Sequence, residues 1–374
     1  MRIGFDAKRA FLNNTGLGNY SRDTIRVLSH YFPKDKFFLY TPNNNNNPRL
    51  SFVQNRGNTN IYTPKSLLNQ ILKGYWRSKG IIKDLLKDNI DIYHGLTHEI
   101  PIGIEKTSIK TVVTIHDLIF IRYPHLFNII DRKIYYKKFK SACERSNKII
   151  AVSEQTKKDI IHYFKIAPNK ISVVYQGCNQ LFQDGIDRNK RDLIIKKYTL
   201  PKEYLLYVGS IEKRKNLLTL IKTLKELPDQ KLVVIGDGKS YKKECEKFIN
   251  QNKLSDRVIF LKKLSIEDMV AIYQTAKIMI YPSIFEGFGI PIIEALFTKT
   301  PVITSKGGCF SEAGGPNSKY INPLSATEIK EAILEIDKSP KLQKNMIEKG
   351  LEYAKQFHDK KIAKNLMHIY QDLN

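Results

Sequence analysis

Short apolar runs alternate with longer amphipathic stretches along the whole chain, and this alternation limits the possible folds more than any other feature of the sequence. Each run has the length of a buried strand, and each leads into a Gly, Asp, His or Ser. Repeated strand and helix units of this kind build parallel sheets covered by helices. The sequence therefore predicts a doubly wound α/β fold, with ligands bound at the carboxyl ends of the strands. The predicted strands are Arg2–Asp6, Phe37–Tyr40, Ile90–His94, Lys110–Ile115, Lys148–Val152, Ile171–Val174, Tyr204–Val208, Lys231–Ile235, Val258–Phe260, Ile278–Tyr281 and Pro301–Thr304.

The chain of 374 residues is longer than one typical domain, and a polar stretch from Gln183 to Arg191 separates two series of strands. We therefore predict one doubly wound domain over residues 1–180, a second over residues 181–350, and a cleft between them. Residues 351–374 have a helical pattern and are expected to pack on the first domain. The run Asn43–Asn47, followed by Pro48, predicts a loop.

Charge and cysteine content narrow the class of protein further. There are 62 Lys and Arg against 37 Asp and Glu, a net charge of +25, and residues 1–180 hold 29 of these cations against 13 acids, which is +16. Such an excess calls for an anionic partner. The four cysteines form no Cys-x-x-Cys pair, which argues against disulfide, zinc and redox frameworks. With charges in the first ten residues and no long apolar run, a cytoplasmic location is expected.

The most informative segment begins at Tyr281, where an apolar strand ends in a glycine-bearing loop and a helix follows. Pro291 suits the first helical turn, which tolerates a missing N–H, and the loop amides with the helix dipole favour a phosphate. Glu286 and Glu294 bracket this helix start, and their carboxylates are natural acceptors for sugar hydroxyls. Taken singly, each acid has a plainer alternative: Glu286 as a loop acid, and Glu294 as a complement to the helix dipole.

This segment resembles the E-x7-E signature of the GT4 family of retaining glycosyltransferases, because its Glu-Gly-Phe-Gly-x-Pro-x-x-Glu-Ala core is intact. The resemblance implies the GT-B architecture, in which two Rossmann-like domains face a cleft. It implies that Glu286 is a catalytic residue that contacts hydroxyls of the transferred sugar, and that Glu294 holds the nucleotide ribose. It also implies that the amides of Gly287, Phe288 and Gly289 hold the donor diphosphate.

A second segment, Gly209–Asn216, directly follows the predicted strand Tyr204–Val208. Cations in such a turn can neutralise a leaving diphosphate without a metal. The segment is similar to the family's Gly-x-x-x-x-Arg-Lys-Asn motif, which implies that Arg214 and Lys215 bind the donor diphosphate. Ser210 stands where some members have a further arginine. In so basic a chain, the alternative is a solvated basic turn.

Two further positions match the family in the first half of the chain. His116 follows the strand Lys110–Ile115 in a His-Asp-Leu context, and the resemblance implies a catalytic sugar contact through either its imidazole or its backbone carbonyl. Gly16 and Gly18 precede an amphipathic helix, but no third glycine completes a dinucleotide fingerprint. The loop is similar to the family's Gly-Ile-Gly-Arg-Tyr loop, which implies that Gly18 lies near the donor phosphate, although Asn19 replaces the arginine.

Together these segments predict a retaining hexosyltransferase, and the resemblance to bacterial mannosyltransferases favours GDP-mannose as the nucleotide-sugar donor. No cofactor or metal is expected, since the sequence contains no Asp-x-Asp. The expected acceptor is a glycan or a polyprenyl-diphosphate-linked oligosaccharide of bacterial surface polysaccharide or lipopolysaccharide synthesis. Two alternatives stay open: a GT-B relative with other chemistry, such as a nucleotide-sugar epimerase, and a basic nucleic-acid-binding protein supported by net charge alone.

The last prediction concerns the segment Ser66–Asn89, in which the single tryptophan, Trp76, lies among lysines and leucines. Its apolar residues recur at roughly helical spacing and are interleaved with cations, a pattern suited to an anionic bilayer surface. The alternative is an ordinary domain helix with a solvated basic face, weakened by Gly74 and Gly80. With the +16 of residues 1–180, the segment predicts salt-sensitive peripheral binding at the inner face of the cell membrane.

Overall fold

The computed structural model describes residues 1–45 and 47–373, which form two compact units. Unit 1 comprises Met1–Gly177 and Asp359–Asn374, and unit 2 comprises Cys178–His358. Asn46, within the predicted asparagine loop, and Asn374, at the end of the predicted terminal helix, lie outside the described residues. Among the described residues, no helix combines the length and the apolar composition that crossing a membrane requires.

Unit 1 is built on a parallel sheet whose strands are short and mostly buried. Within the described residues its strands are β1 (Arg2–Asp6), β2 (Lys36–Tyr40), β3 (Thr59–Tyr62), β4 (Ile92–Gly95), β5 (Lys110–Ile115), β6 (Lys148–Ala151) and β7 (Ile171–Val173). They are ordered β3-β2-β1-β4-β5-β6-β7, so the direction of winding reverses between β1 and β4. In an open parallel sheet, the crevice at the carboxyl ends of such a pair is the usual ligand site.

Helices cover both faces of this sheet, as expected for strands buried on two sides. In chain order they are α1 (Lys8–Leu12), α2 (Gly16–Tyr31), α3 (Ser51–Gln54), α4 (Leu67–Ile71), α5 (Lys73–Tyr75), α6 (Ile81–Lys87), α7 (Ile119–Arg122), α8 (Ile129–Arg145) and α9 (Glu154–Phe164). A π-helical turn, Trp76–Gly80, joins α5 to α6. Ser153 caps the start of α9, where its side chain accepts a hydrogen bond from the amide of Thr156.

Unit 2 repeats the same principle with a second parallel sheet. Within the described residues its strands are β8 (Leu205–Val208), β9 (Leu232–Ile235), β10 (Val258–Leu261), β11 (Ile278–Tyr281), β12 (Val302–Ser305) and β13 (Lys319–Ile321). Their order is β10-β9-β8-β11-β12-β13, so winding reverses between β8 and β11. The helices are α10 (Gln180–Asp184), α11 (Arg188–Lys197), α12 (Leu217–Thr223), α13 (Ser240–Gln251), α14 (Ile266–Thr275), α15 (Ile290–Phe297), α16 (Phe310–Gly314), α17 (Ala326–Asp337) and α18 (Pro340–Ala354).

The C-terminal segment differs from the single helical stretch that the sequence predicts from residue 351. Helix α18 ends at Ala354, a short 3-10 turn follows, and His358 takes an extended conformation before α19 (Asp359–Gln371) begins. Helix α19 belongs to unit 1, where it packs against α2. Asp359 forms an ion pair with Arg26, and the hydroxyl of Tyr370 lies 2.6 Å from Nδ1 of the buried His94.

The predicted strands are present with ends shifted by at most two residues, but two strands were not predicted. These are β3 and β13, which lie at the edges of their sheets and are only partly buried. An edge strand with exposed positions needs no continuous apolar run, so it leaves little signal in the sequence.

Candidate active site

The motif residues of unit 2 meet where the winding of its sheet reverses. The loop after β8 carries Arg214 and Lys215, and the loop after the neighbouring strand β11 carries Glu286. Backbone contacts join the two loops, since the amide of Ile284 donates to the carbonyl of Arg214 at 2.8 Å. Parallel pairing of β8 with β11 therefore brings two segments that are distant in sequence to one edge of the sheet.

Glu286 is the centre of this cluster, with only 9% of its surface exposed. Its Oε2 lies 2.8 Å from a guanidinium nitrogen of Arg214, and its Oε1 lies 2.8 Å from Nζ of Lys215. The hydroxyls of Ser283 and Tyr281 also donate to Oε1, at 2.7 and 2.9 Å. A buried carboxylate is stable only with such partners, and here each oxygen has a cation.

These contacts fix the charge of the cluster. Burial by itself would raise the pKa of Glu286, but Lys215 and Arg214, with hydrogen bonds from Lys215 and Ser283, outweigh burial and lower the pKa to about 2. The pKa of Arg214 is raised, because Glu286 and Glu212 outweigh the opposing effect of burial. The carboxylate and the guanidinium are therefore both ionised at neutral pH.

The loop between Glu286 and α15 has the geometry expected of an anion-binding helix start. Gly289 precedes the helix with φ of 123°, a conformation that side chains with a Cβ rarely adopt. Phe288 is buried with its ring against Phe357, and its carbonyl accepts a hydrogen bond from Cys309 Sγ. Gly287, Phe288 and Gly289 thus form a turn that is fixed by packing and hydrogen bonding. The N-terminus of α15, with its free backbone amides, directly follows this turn.

Glu294 lies one helical turn into α15. Its Oε2 accepts a hydrogen bond of 2.8 Å from the hydroxyl of Tyr273 on α14. Burial, and then the charge of Glu294, raise the pKa of Tyr273, so the phenol stays protonated and donates. Tyr273 was not predicted from the sequence, because it lies in an apolar helix that gives no sign of this contact.

In unit 1, His116 is buried at the end of β5 with both ring nitrogens engaged. Nε2 lies 3.0 Å from the carbonyl of Leu96, so Nε2 carries the proton, and Nδ1 lies 3.4 Å from the side-chain nitrogen of Gln176. Burial lowers the pKa of His116 to about 4, against a small opposing effect of the Leu96 carbonyl. The imidazole is therefore neutral, and the His116 carbonyl accepts a hydrogen bond from the Thr156 hydroxyl at 3.2 Å.

Gly18 has a structural reason to be glycine. A Cβ added there would lie 1.8 Å from the backbone oxygen of Asn13, and the Gly18 amide lies 3.2 Å from the Asn13 side-chain oxygen. The residue lets the first turn of α2 pass close to the preceding loop. A role near the donor phosphate stays a prediction.

His98 follows β4 and was not singled out from the sequence. Its backbone has φ of 65°, its ring stacks on Phe139 at 4.1 Å between centroids, and its edge approaches His116 at 5.1 Å. Within the described residues, its buried Nδ1 has no hydrogen-bond partner. A strand-end histidine resembles many structural ones, so sequence alone offers no signal to separate it.

No group of three or more His, Cys, Asp or Glu side chains within the described residues is arranged to hold a metal. The predicted independence from metal and cofactor stays a prediction.

Comparison with known proteins places the chain among enzymes. Residues 190–353 match the model of the glycosyl transferases group 1, and residues 21–180 match that of glycosyltransferase family 4. The O-antigen chain mannosyltransferase RfbU of Salmonella typhimurium is 30% identical over 318 residues, covering 84% of this chain and 81% of the relative. The O-antigen chain mannosyltransferase B of Escherichia coli is 27% identical over 282 residues, covering 73% of this chain and 72% of the relative.

Solved structures agree at the level of the fold. The glycosyltransferase of Rickettsia africae superimposes with a TM-score of 0.77 at 19% identity, covering 100% of this chain and 98% of the other. Anabaena HepE in complex with UDP and glucose gives a TM-score of 0.79 at 15% identity, with 100% of both chains covered.

Two Rossmann-like units with a cationic cluster at a sheet switch point thus define a glycosyltransferase of the GT-B fold class. Within that class, the chain belongs to glycosyltransferase family 4, as its resemblance to the E-x7-E signature implied.

Proposed function

We propose that this protein is a retaining, metal-independent mannosyltransferase that uses GDP-mannose in the synthesis of a bacterial surface polysaccharide. The observation that carries the proposal is the buried cluster of Glu286 with Arg214 and Lys215 at the end of β8 and β11. The choice of mannose draws support from the relatives in Salmonella typhimurium and Escherichia coli that are named as O-antigen mannosyltransferases.

In this proposal, Arg214 and Lys215 neutralise the charge that develops on the leaving diphosphate. Glu286 holds both cations in fixed positions, so little reorganisation is needed when the charge develops. The amides of the turn at Gly287, Phe288 and Gly289 add hydrogen bonds to the diphosphate. Glu286 also faces the transferred sugar, and retention follows if the departing phosphate and the incoming hydroxyl share one face of that sugar.

Glu294 holds the ribose hydroxyls in this proposal, with its carboxylate oriented by Tyr273. For His116 the carbonyl is the better candidate for the sugar contact. Both of its ring nitrogens are engaged, whereas its carbonyl oxygen has a second lone pair beyond the contact with Thr156.

The donor assignment is tested by thermal denaturation of the protein with GDP, UDP and their sugars, followed by transfer assays with the donor that stabilises it. GDP and GDP-mannose should raise the melting temperature, since a ligand that binds only the folded state stabilises it. Arg214→Gln should abolish the shift, whereas Arg188→Gln, on an exposed side chain of the same unit, should leave it intact. Stabilisation by UDP and not by GDP would overturn the assignment of GDP-mannose as the donor.

We also propose peripheral binding to an anionic membrane through unit 1. The structure corrects one part of the sequence argument, because Trp76 is buried and donates its indole N–H to Asp84 at 2.7 Å. Leu67, Ile71 and Tyr75 are exposed, as an inserted apolar surface requires.

Flotation with vesicles that contain an anionic lipid tests this proposal. At low salt the protein should float, and Leu67→Asn with Ile71→Asn should reduce the bound fraction. Leu193→Asn with Leu324→Asn, at two exposed apolar positions of unit 2, is the matched control. If the wild-type protein stays in the soluble fraction at low salt, the proposal is wrong.

A further inference from the structure

A cavity of about 190 Å³ lies at the point in unit 1 where the winding of the sheet reverses. Asp6 at the end of β1, Tyr93 on β4 and Glu99, which follows β4, line this cavity. Ser78 of the π-helical turn and Lys137 of α8 also line the cavity. Open parallel sheets bind their ligands in this crevice, but no sequence motif singled it out.

Arg77 is fixed inside this cavity by two carboxylates. Its guanidinium lies 2.5 Å from Oδ2 of Asp6 and 3.1 Å from Oε2 of Glu99. Glu99 also lies 3.4 Å from Nζ of Lys138. The cations Arg77, Lys137 and Lys138 thus face only two carboxylates of the lining, and the exposed ammonium groups of the two lysines leave the mouth with an excess of positive charge. A further lining cation, Arg145, pairs with Glu105 at 3.0 Å.

The face of α8 that borders the cavity carries lysines near the cavity and isoleucines closer to the N-terminus of the helix. Lys137, Lys138 and Ser141 line the cavity, and residues three, four or seven positions earlier lie on the same helical face. Among those residues are Ile134, four positions before Lys138 and seven before Ser141, and Ile130, seven before Lys137. The two isoleucines are 45% and 67% exposed. Across the cavity, Ile102 is also a lining residue and is 51% exposed.

We propose that this cavity binds the phosphate end of an anionic amphiphile, a phosphate ester of a long hydrocarbon, whose chain lies along Ile134 and Ile130. Arg77, Lys137 and Lys138 supply the cations, and the exposed isoleucines supply the apolar path that a free phosphate does not need. The inference rests on the proposed function in one respect, since it identifies the amphiphile as the sugar acceptor or its lipid carrier.

The test is a calorimetric titration of the full chain with farnesyl phosphate, inorganic phosphate and farnesol. The wild-type protein should bind farnesyl phosphate at least roughly tenfold more tightly than either other probe, because charge and apolar area contribute together. The titration is repeated on Arg214→Gln, in which the cation cluster of unit 2 is impaired. Binding that persists there belongs to unit 1, whatever the outcome of the nucleotide experiments.

Variants then locate the site. Lys137→Gln with Lys138→Gln should weaken farnesyl phosphate binding about tenfold, as expected from two lost charge contacts. Lys360→Gln with Lys361→Gln removes the same charge from an adjacent exposed pair on α19 of unit 1, which does not line the cavity, and should change binding less than about twofold. Ile134→Asn should weaken the binding of farnesyl phosphate and leave the affinity for inorganic phosphate unchanged.

Three results would overturn the inference. They are equal affinity for farnesyl phosphate and inorganic phosphate, equal losses in the two lysine pairs, and binding that disappears in Arg214→Gln. In each case the nucleotide-induced thermal shift of the wild-type protein is unaffected, so failure here is distinct from failure of the proposed function.

Discussion

Replacing Glu286 by Gln tests the central cluster of unit 2 directly. The substitution keeps the shape of the side chain but removes the negative charge that lies 2.8 Å from both Arg214 and Lys215. Glu286 lies in the loop after β11, and a substitution in a loop is ordinarily expected to spare the fold. Its burial between two cations changes that expectation, because unpaired buried charges destabilise a protein.

The size of the effect follows from the pKa of Glu286, which falls from 4.5 to about 2 on folding. Each pKa unit corresponds to about 1.4 kcal/mol, so the ionised carboxylate contributes about 3 kcal/mol to folding at neutral pH. For a unit of this size, that is a fall in melting temperature of roughly 6–12 °C. Transfer activity should be lost as well.

Differential scanning calorimetry at pH 7 measures this fall, with Glu212→Gln as the matched control. Glu212 also pairs with Arg214, at 2.7 Å, but its side chain is 48% exposed. Its loss should cost less than about 1 kcal/mol, as for other surface pairs. If the melting temperature of Glu286→Gln equals that of the wild-type protein or that of Glu212→Gln, the buried carboxylate does not stabilise the fold in this way.

Three further predictions concern pH, nucleotide binding and a close backbone contact. The difference in melting temperature between the wild-type protein and Glu286→Gln should shrink as pH falls from about 4.5 towards 2, because a lowered folded-state pKa stabilises only the ionised form; a constant difference over that window would contradict this reasoning. Glu294→Gln should weaken nucleotide binding about tenfold in calorimetric titration while the melting temperature changes little, and unchanged affinity would remove Glu294 from the ribose site. Gly18→Ala should destabilise unit 1 by more than about 2 kcal/mol, because the new Cβ would lie 1.8 Å from the Asn13 carbonyl oxygen. Gly16→Ala is the control and should be tolerated, since no atom lies within 4 Å of the Cβ that it adds. Equal melting temperatures for the two alanine variants would show that the loop at Asn13 moves away without cost.

The sequence was most informative where a local pattern has one structural meaning. The apolar runs at Ile278–Tyr281 and Lys110–Ile115 are strands with the predicted ends, because four or five buried residues between polar ones admit little else. The E-x7-E segment identified the family, since its spacing combines a turn, a helix start and two acids in one short stretch.

The sequence was least informative where a residue's environment comes from distant parts of the chain. Trp76 looked like a surface residue among lysines and leucines, but it is buried in a hydrophobic cluster of unit 1, at the start of a π-helical turn, and donates its N–H to Asp84. Glu286 looked like an acid on a loop, and its low pKa depends on cations 71 and 72 positions earlier in the chain.

The sequence by itself determined the strand and helix units, the two series of them, and the positions of the motif residues. Only the tertiary structure decided which strands are neighbours: β8 beside β11, and β1 beside β4. Strand order is a long-range property, because the periodicity of a strand records which faces are buried and not which strand lies alongside. The contact of Glu286 with Arg214 follows from that order, because the two residues lie in the loops after the neighbouring strands β11 and β8, and the charge of the site depends on this contact.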